Sequence, residues 1–354
     1  MSKAEKALVI LTPGFPKDEA DSTCLPLQQQ LVRALKETHP DINIIVLTFQ
    51  YPFCTESYYW FNTKIIPFNG QDKGGLYRLL LRKKIFQALK KIHSATPISG
   101  LLSFWCGECA AVGKIFAERN DLKHYCWILG QDAKKENKYP RRIRFHPDDL
   151  IALSDFLKNE FEKNHKLRPA YLIPSGVNTG LFASHPPQKD IDILGAGSLI
   201  PLKQYDIFID AVKSIREKIP SVKALLIGIG PEKEKLEQLI GESGLASNIQ
   251  LIGQLPYTEV LSFMQRSKVF LHPASYEGFS GVCLEALYAG CHVISFCRAM
   301  NNEIDQWHIV LSKEEMAQEA LSILQNPSTV YKQVLFSSID EMAKKMIALF
   351  FENR

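Results

Sequence analysis

Two glutamates separated by seven residues, Glu277 and Glu285, have the types and spacing that most directly suggest chemistry in this sequence. Residues 278–281 form a Gly- and Ser-containing turn ahead of a helical run, and Ser280 can cap that helix. Free backbone N–H groups at such a helix start favour an anion, typically a phosphate. Glu285 falls about two turns into the helix. A carboxylate there can accept hydrogen bonds from the paired hydroxyls of a ribose.

The turn itself puts Glu277 in front of the helix, where it would face a ligand directly. One helix start could then hold a sugar, a diphosphate and a ribose in series, which is the outline of a nucleotide sugar. An apolar run that ends in Pro273 precedes the turn and predicts a buried strand. The alternative is an ordinary surface helix that carries two acidic residues.

Three stretches together resemble the family 4 glycosyltransferases, which are retaining enzymes of GT-B fold. Their donor-site motif is Glu, seven residues, Glu, and then Glu-Ala-Leu-x-x-Gly, which here begins at Glu285. The segment 173–182 (IPSGVNTGLF) resembles their interdomain segment, with Ser175 in place of the usual Asn. Lys203 matches the Lys of their Gly-Arg-Leu…Lys run, whose Arg falls at Ser198. The resemblance is strong over residues 173–290 and weak before them.

The resemblance implies a role for each matching position. The Lys203 ammonium would offset the charge of the donor diphosphate, helped by backbone N–H groups near Ser198 and Phe279. Arg298 is a candidate substitute for the missing Arg. Glu277 would bind the donor sugar and Glu285 the ribose. The nucleotide base would meet mainly backbone near Gly228, Gln254 and Leu255.

Residues of the first half would contribute the reacting-sugar or acceptor side. The string Leu129-Gly130-Gln131-Asp132 matches a family His-Gly-x-Asp, so Leu129 takes the His position while Asp132 is kept. Gly14 either lets the backbone approach a substrate phosphate or serves only as a turn glycine. The predicted catalytic residues are Lys203, Glu277 and Asp132. The predicted donor-binding residues are Gly14, Gln131, Ser198, Gly228, Gln254, Leu255, Gly278, Phe279, Ser280 and Glu285.

Other phosphate-binding and metal-binding patterns are incomplete. Gly195-Ala196-Gly197 and Gly228-Ile229-Gly230 both lack the third small residue of a dinucleotide fingerprint, and no P-loop is present. The resemblance implies no metal and no cofactor, with a UDP- or GDP-type sugar as the donor substrate. The lone Cys106-Gly107-Glu108-Cys109 pair indicates either a metal or redox role or reduced thiols beside a helix start. Two alternatives stay open: a non-catalytic nucleotide- or carbohydrate-binding protein, and an epimerase or hydrolase of the same fold.

Length and patterning predict an α/β protein of two Rossmann-like domains with parallel sheets that face a cleft. The 354 residues are 46% hydrophobic and 23% charged, as in a globular protein. Strand–loop–helix units predict a first domain at 1–184 plus a C-terminal helix at 333–354, and a donor domain at 185–332. The sheet of the second domain is predicted to end with a strand at 292–296.

Charge is unevenly distributed between the two halves. Residues 1–185 carry 26 Lys and Arg against 18 Asp and Glu, although the whole chain has a net charge of only +4. The helical stretch 75–93 has one apolar and one basic face, which indicates either peripheral membrane contact or a solvated surface. The basic cluster 134–144 fits a phosphorylated or lipid-linked acceptor, or solvated surface. Nucleic-acid binding is not indicated. The short apolar run at the N-terminus predicts a cytoplasmic protein, at the inner face of the membrane if the basic half contacts lipid.

Overall fold

The computed structural model describes residues 6–185 and 187–351. They form two compact units. Unit 1 comprises the described residues up to Ser175 and those from Ile339 onward, and unit 2 is Gly176–Ser338. The first change of unit therefore falls earlier in the chain than the boundary drawn from the sequence, and the second falls later.

Unit 1 contains a sheet of eight strands in its described residues, in the order β3-β4-β2-β1-β5-β6-β7-β8. All neighbours are parallel except the β3–β4 pair. The strands are β1 (Ala7–Gly14), β2 (Asn43–Tyr51), β3 (Tyr58–Trp60), β4 (Thr63–Pro67), β5 (Ile98–Phe104), β6 (Lys123–Ile128), β7 (Leu150–Ala152) and β8 (Tyr171–Leu172). The first helices are α1 (Pro26–Thr38), α2 (Gly75–Ala95), α3 (Glu108–Asn120), α4 (Tyr139–Ile143) and α5 (Asp155–His165).

The apolar runs of the first half form the core of unit 1, as their pattern predicts. Residues 7–11 of β1 are fully buried, because a parallel strand at the centre of a sheet is covered on both faces. Helix α2 packs against the sheet through a stripe at helical spacing, Leu81, Ile85 and Leu89. The rest of α2 is more exposed.

Unit 2 contains a parallel sheet in the order β11-β10-β9-β12-β13-β14. Its strands are β9 (Ile191–Ala196), β10 (Ala224–Ile227), β11 (Ile249–Gly253), β12 (Ser267–His272), β13 (His292–Ser295) and β14 (Trp307–Ile309). Its helices are α6 (Tyr205–Arg216), α7 (Lys233–Glu242), α8 (Tyr257–Gln265), α9 (Gly281–Tyr288) and α10 (Lys313–Gln325). The last helix, α11 (Ile339–Phe351), belongs to unit 1 and contacts α1 there.

The sequence-based elements differ from the structure in two places. The strand predicted to end the second sheet, β13, is followed by β14, which forms the edge. The C-terminal helix predicted at 333–354 begins only at Ile339, as α11. Residues before Ile339 instead run along unit 2, where the N–H of Val334 donates to the carbonyl of Leu287 at 3.1 Å. None of the described helices is long and apolar enough to cross a lipid bilayer.

Candidate functional site

Three loops at the carboxyl ends of neighbouring strands in unit 2 are held together by backbone hydrogen bonds. The N–H of Gly197, after β9, donates to the carbonyl of Ile227 at 2.9 Å. The N–H of Gly228, after β10, donates to the carbonyl of Gly253 at 2.8 Å. Ligand sites of open parallel sheets lie at this edge. The loops that carry Ser198, Gly228 and the residues after Gly253 therefore form one connected rim.

Glycine is required where these loops approach one another. Gly228 has a φ of 151°, and a Cβ at this position would lie 1.9 Å from the carbonyl oxygen of Gly197. Gly230 is similarly tight, since a Cβ there would lie 2.3 Å from the carbonyl oxygen of Leu199. The second incomplete Gly-x-Gly pattern of the sequence is thus explained by the packing of one loop on the next.

Lys203, Glu277 and His272 form a charged cluster at the same edge. Lys203 ends a short 3₁₀ helix (Pro201–Lys203) after β9, and its ammonium contacts Oε2 of Glu277. The same oxygen lies 3.3 Å from Nε2 of His272, the last residue of β12. His272 is buried, whereas the two charged side chains remain about a fifth exposed, 18% for Lys203 and 24% for Glu277.

The cluster keeps Glu277 ionised. Burial alone would raise the pKa of Glu277, but the hydrogen bond from His272 and the charge of Lys203 outweigh it and lower the pKa to about 2. Burial lowers the pKa of His272, because the charged imidazolium would lose its hydration. Around neutral pH the cluster therefore combines an ammonium, a carboxylate and a neutral imidazole.

Glu285, the second glutamate of the motif, lies on α9 and pairs with a residue of α8. The hydroxyl of Tyr257 donates to Oε1 of Glu285 at 2.6 Å. Burial raises the pKa of Glu285 to about 7, although the Tyr257 hydrogen bond works in the opposite direction. The Oε2 atom of Glu285 accepts no hydrogen bond from any residue that the structure describes. A carboxylate with one oxygen fixed and one available is suited to a hydroxyl-bearing ligand.

Ser280 occupies the N-cap position of α9, but the prediction that its side chain caps the helix is wrong. No N–H group of the helix donates to the Ser280 hydroxyl. Phe279 is buried and stacks on Trp307, with ring centroids 5.8 Å apart. Gly278 is also buried. A ligand in front of α9 would thus meet the backbone of this turn more than its side chains.

The remaining predicted donor-side residues lie around the rim. Ser198 and Gln254 are exposed, and Leu255 is half-buried. Arg298, the proposed substitute cation, is also exposed and makes no ion pair with a described residue. It lines a polar pocket together with Asn302, Glu303, Trp307 and His308. A smaller neighbouring pocket is lined by His272, Glu277, Phe279 and Ser280.

The three other predicted site residues, Gly14, Gln131 and Asp132, belong to unit 1. Asp132 is 9% exposed, and its carboxylate accepts backbone N–H groups from Cys106 at 2.8 Å and Gly130 at 2.8 Å. Burial raises its pKa, although these hydrogen bonds oppose the effect. Asp132 therefore joins the loops after β5 and β6, a role that the sequence did not indicate. Its contact with a sugar stays a prediction.

Gln131 is exposed beside Asp132, whereas Gly14 is buried at the end of β1. A Cβ on Gly14 would meet only ordinary van der Waals distances, the shortest being 3.6 Å to Tyr51, so the backbone does not demand glycine there. Cys106 and Cys109 are buried with free thiols. No three His, Cys, Asp or Glu side chains within residues 6–185 and 187–351 are arranged to hold a metal ion. Metal independence stays a prediction.

Sequence reasoning missed three residues of the site in unit 2. A polar residue that ends a buried strand, as His272 does, is a usable signal. No motif points to Tyr257, because its partner Glu285 lies on a different helix. Nor does any motif indicate Tyr205 at the start of α6, whose buried hydroxyl has no hydrogen-bond partner among residues 6–185 and 187–351.

Comparison with known proteins places this site in context. Residues 179–326 match the family model described as Glycosyl transferases group 1. An uncharacterized glycosyltransferase of Methanocaldococcus jannaschii is 29% identical over 213 residues, which are 58% of this chain and 58% of that protein. The alignments span between about a third and two thirds of the length of the first curated relatives, from 34% to 66%.

Solved structures agree over almost the whole chain. A glycosyltransferase from Rickettsia africae superposes with a TM-score of 0.72 at 16% identity, covering 98% of both chains. Anabaena HepE, solved in complex with UDP-glucose, gives a TM-score of 0.67 at 16% identity and covers 98% of this chain and 95% of its own. The chain has the two-domain α/β fold with parallel sheets of the GT-B glycosyltransferases.

Proposed function

We propose that this chain is a retaining glycosyltransferase that moves a sugar from a nucleotide-diphosphate sugar to a hydroxyl acceptor. The observation that carries the proposal is the cluster of Lys203, Glu277 and His272 in front of α9, inside the segment that matches Glycosyl transferases group 1. A cation, an ionised carboxylate and a helix start together suit a diphosphate with a sugar attached.

In the proposed reaction, Lys203 stabilises the charge that develops on the leaving diphosphate. The bond between the anomeric carbon and the phosphate oxygen breaks, and a bond to the acceptor oxygen forms on the same face of the sugar. The acceptor proton passes to the leaving diphosphate, so no side-chain base is assigned. Preorganised cations of this kind lower the barrier because charge appears where they already lie. No metal takes part in this scheme.

The two glutamates hold the rest of the donor. Glu277 binds hydroxyls of the sugar once the diphosphate takes its place beside Lys203. Glu285 binds the ribose through its available oxygen, and Tyr257 orients the carboxylate. Backbone near Gly228, Gln254 and Leu255 contacts the base. The donor is of UDP or GDP type, and the similarity to HepE, which was solved with UDP-glucose, supports UDP.

The acceptor is a glycan or a lipid-linked intermediate, and it meets unit 1. Gln131, Asp132 and Gly14 are the candidate contacts there. The excess of basic residues in the first half suits an acceptor that carries phosphate. We further propose a cytoplasmic location at the inner face of a membrane for a lipid-linked acceptor.

Two substitutions relative to the family pattern support a second candidate, a non-catalytic nucleotide- or carbohydrate-binding protein. Ser198 stands where the family has Arg, and Leu129 where it has His. Such a protein would bind nucleotide without turnover. A third candidate is an epimerase or hydrolase of the same fold, which would change the donor in the absence of any acceptor.

Thermal shift with UDP-, GDP-, ADP- and CMP-sugars, in EDTA, tests the donor site. We expect one nucleotide class to raise the melting temperature of the wild type. Glu285→Ala should remove that shift, while the control Glu259→Ala, on the exposed side of α8, should keep it. NMR of the donor without acceptor then reveals epimerisation or hydrolysis, and the anomeric coupling of a transfer product reports retention. No shift with any donor would contradict the proposal.

A further inference from the structure

The start of helix α2 in unit 1 presents large apolar side chains to solvent. Leu76, Leu79 and Leu80 are 79%, 59% and 58% exposed. They lie about half a helical turn away from the stripe that packs on the sheet, since each residue advances about 100° around the helix. Single exposed leucines are ordinary. Three that are neighbours on the surface of one helix, at spacings of three and four residues, form a contiguous apolar surface.

Unpaired positive charge follows these leucines directly. Lys83 and Lys84 lie one turn after Leu79 and Leu80, and both are exposed. Neither makes an ion pair with a residue in the described part of the chain. The sequence of α2 contains no Asp or Glu that could neutralise them. The arginines of the helix differ, because Arg78 and Arg82 both pair with Glu108, with N–O distances of 3.8 and 2.6 Å.

The beginning of the helix is fixed by its own loop. The hydroxyl of Tyr77 donates to the carbonyl of Asn69 at 3.0 Å, and the ammonium of Lys73 lies 5.4 Å from the centre of the Tyr77 ring. The leucines therefore project from a helix end that these contacts fix in place. Little ordering would be needed to bring them into contact with a partner.

We propose that Leu76, Leu79, Leu80, Lys83 and Lys84, the α2 patch, dock unit 1 onto an anionic lipid bilayer. The leucines would enter the boundary between headgroups and acyl chains, and the two ammonium groups would bind lipid phosphates. Charge complementarity selects this occupant, because a second copy of the chain would bring another set of unpaired lysines against the first. The alternative interpretation of this helix from the sequence, a basic face in contact with solvent, does not explain why three leucines are exposed.

This inference deepens the proposed function by naming the surface that would bring the enzyme to a lipid-linked acceptor, and only that use rests on the proposed function. Lipid binding itself needs neither donor nor transfer. A failure of lipid binding is therefore separate from a failure of nucleotide-sugar binding.

Co-sedimentation with large unilamellar vesicles tests the proposal. We expect the wild type to bind vesicles of phosphatidylcholine with 30% phosphatidylglycerol, and to bind pure phosphatidylcholine at least tenfold more weakly. Leu79→Glu/Leu80→Glu should reduce binding at least tenfold at any salt concentration. Lys83→Ala/Lys84→Ala should reduce it about 25-fold at low salt, on the basis of about fivefold per lysine, and less at 0.5 M NaCl.

Matched variants of unit 2 serve as controls. Leu311→Glu changes an 87% exposed leucine, and Lys213→Ala/Lys218→Ala removes two exposed lysines. Both should bind vesicles like the wild type, and circular dichroism should show that every variant is folded. Absence of wild-type binding, or equal loss in the patch and control variants, would overturn the proposal. So would a change from dimer to monomer by light scattering in Leu79→Glu/Leu80→Glu, because the patch would then be covered by a second copy.

Discussion

The ammonium group of Lys203 contacts the carboxylate of Glu277, although the two residues follow different strands of the sheet. Each therefore neutralises the other before any ligand arrives. A diphosphate carries more charge than one carboxylate, so it can compete for the ammonium while Glu277 turns to the hydroxyls of the sugar. One pair thus links recognition of the sugar to stabilisation of the leaving group in the proposed reaction.

Replacing Lys203 should slow the reaction more than it weakens binding. We expect Lys203→Ala to lower kcat by about 10²–10³, because removal of one preorganised donor to a developing oxyanion has effects of this size. The measurement is steady-state transfer with the donor identified by thermal shift. Lys233→Ala, which removes an exposed lysine of α7, is the control and should leave kcat unchanged. Full activity in Lys203→Ala would refute the role in leaving-group stabilisation.

Acid should weaken the fold through Glu277. Its folded pKa of about 2 lies below the ordinary 4.5, so the ionised form stabilises the protein above pH 4.5, and this contribution is lost as pH falls toward 2. The free energy of unfolding of the wild type should therefore exceed that of Glu277→Gln at pH 6, and the difference should narrow below pH 4.5. Urea titrations from pH 6 to pH 3 measure it. A difference that stays constant with pH would contradict the shifted pKa.

Most of the fold could be predicted from the sequence, because buried parallel strands are short apolar runs with Gly or Pro after them. The apolar run that ends in Pro273 predicts a buried strand, and the structure has β12 there, Ser267–His272. The edge strand β14 was missed, because it has three residues that are only half-buried and no continuous apolar run. The start of α11 was misplaced, since apolar residues before Ile339, such as Phe336, pack on Phe279 without forming a helix.

The motifs in the sequence could predict individual residues of the site, but not most of the contacts between them. The resemblance supplied Lys203 and Glu277 as separate functional positions, and the structure brings them into contact. It could not supply Tyr257, whose hydrogen bond to Glu285 joins two helices with no shared motif. Nor could it show that the carboxylate of Asp132 also accepts the backbone N–H of Cys106, because that donor lies in a different loop.

The protonation of Glu285 should make stability and donor binding depend on pH in opposite directions. Its folded pKa of about 7 lies above 4.5, so its contribution to stability is fully present below pH 4.5 and is lost as pH rises through 7. Relative to Glu285→Gln, the wild type should therefore lose unfolding free energy between pH 5 and pH 8. The ionised carboxylate accepts hydroxyl hydrogen bonds better, so donor affinity should rise over the same range.

Urea unfolding and calorimetric titration at pH 5, 6, 7 and 8 measure the two effects of Glu285. Tyr257→Phe removes the hydrogen bond that lowers this pKa, and should move both transitions to higher pH. Tyr288→Phe, on the same helix as Glu285, should not move either. Parallel pH profiles for the wild type and Glu285→Gln would show that Glu285 does not titrate in this range.

Replacing Asp132 tests whether its carboxylate holds two loops together or takes part in the reaction. Asn offers one acceptor oxygen and no charge, so Asp132→Asn should lower the free energy of unfolding by about 1–3 kcal/mol through loss of hydrogen bonds to backbone N–H groups. Gln131→Ala, at the exposed neighbouring position, should change it by less than about 0.5 kcal/mol. Urea unfolding measures both. Unchanged stability of Asp132→Asn together with lost transfer would instead assign Asp132 to the reaction.

Replacing three glycines of unit 2 by alanine, one at a time, should distinguish two costs in unfolding free energy. One is the clash where two loops approach closely, and the other is backbone strain alone. Gly241 lies in α7 with open space around it, so Gly241→Ala should stabilise the protein by about 0.5–1 kcal/mol. Gly253 has a φ of 87° and no neighbour, so Gly253→Ala should cost about 1–2 kcal/mol of strain. Gly228→Ala combines a φ of 151° with a Cβ that would lie 1.9 Å from a backbone oxygen, and should cost more.

The expected order of unfolding free energies is therefore Gly241→Ala, Gly253→Ala and Gly228→Ala, from most to least stable. The three variants need not follow the same order in their affinity for the donor. Gly228→Ala pushes the loop after β10 away from Gly197, and so disturbs the rim that is proposed to contact the base. It should weaken nucleotide binding even where the protein remains folded, whereas Gly241→Ala should bind like the wild type. A Gly228→Ala protein with wild-type stability would contradict the close packing of these two loops.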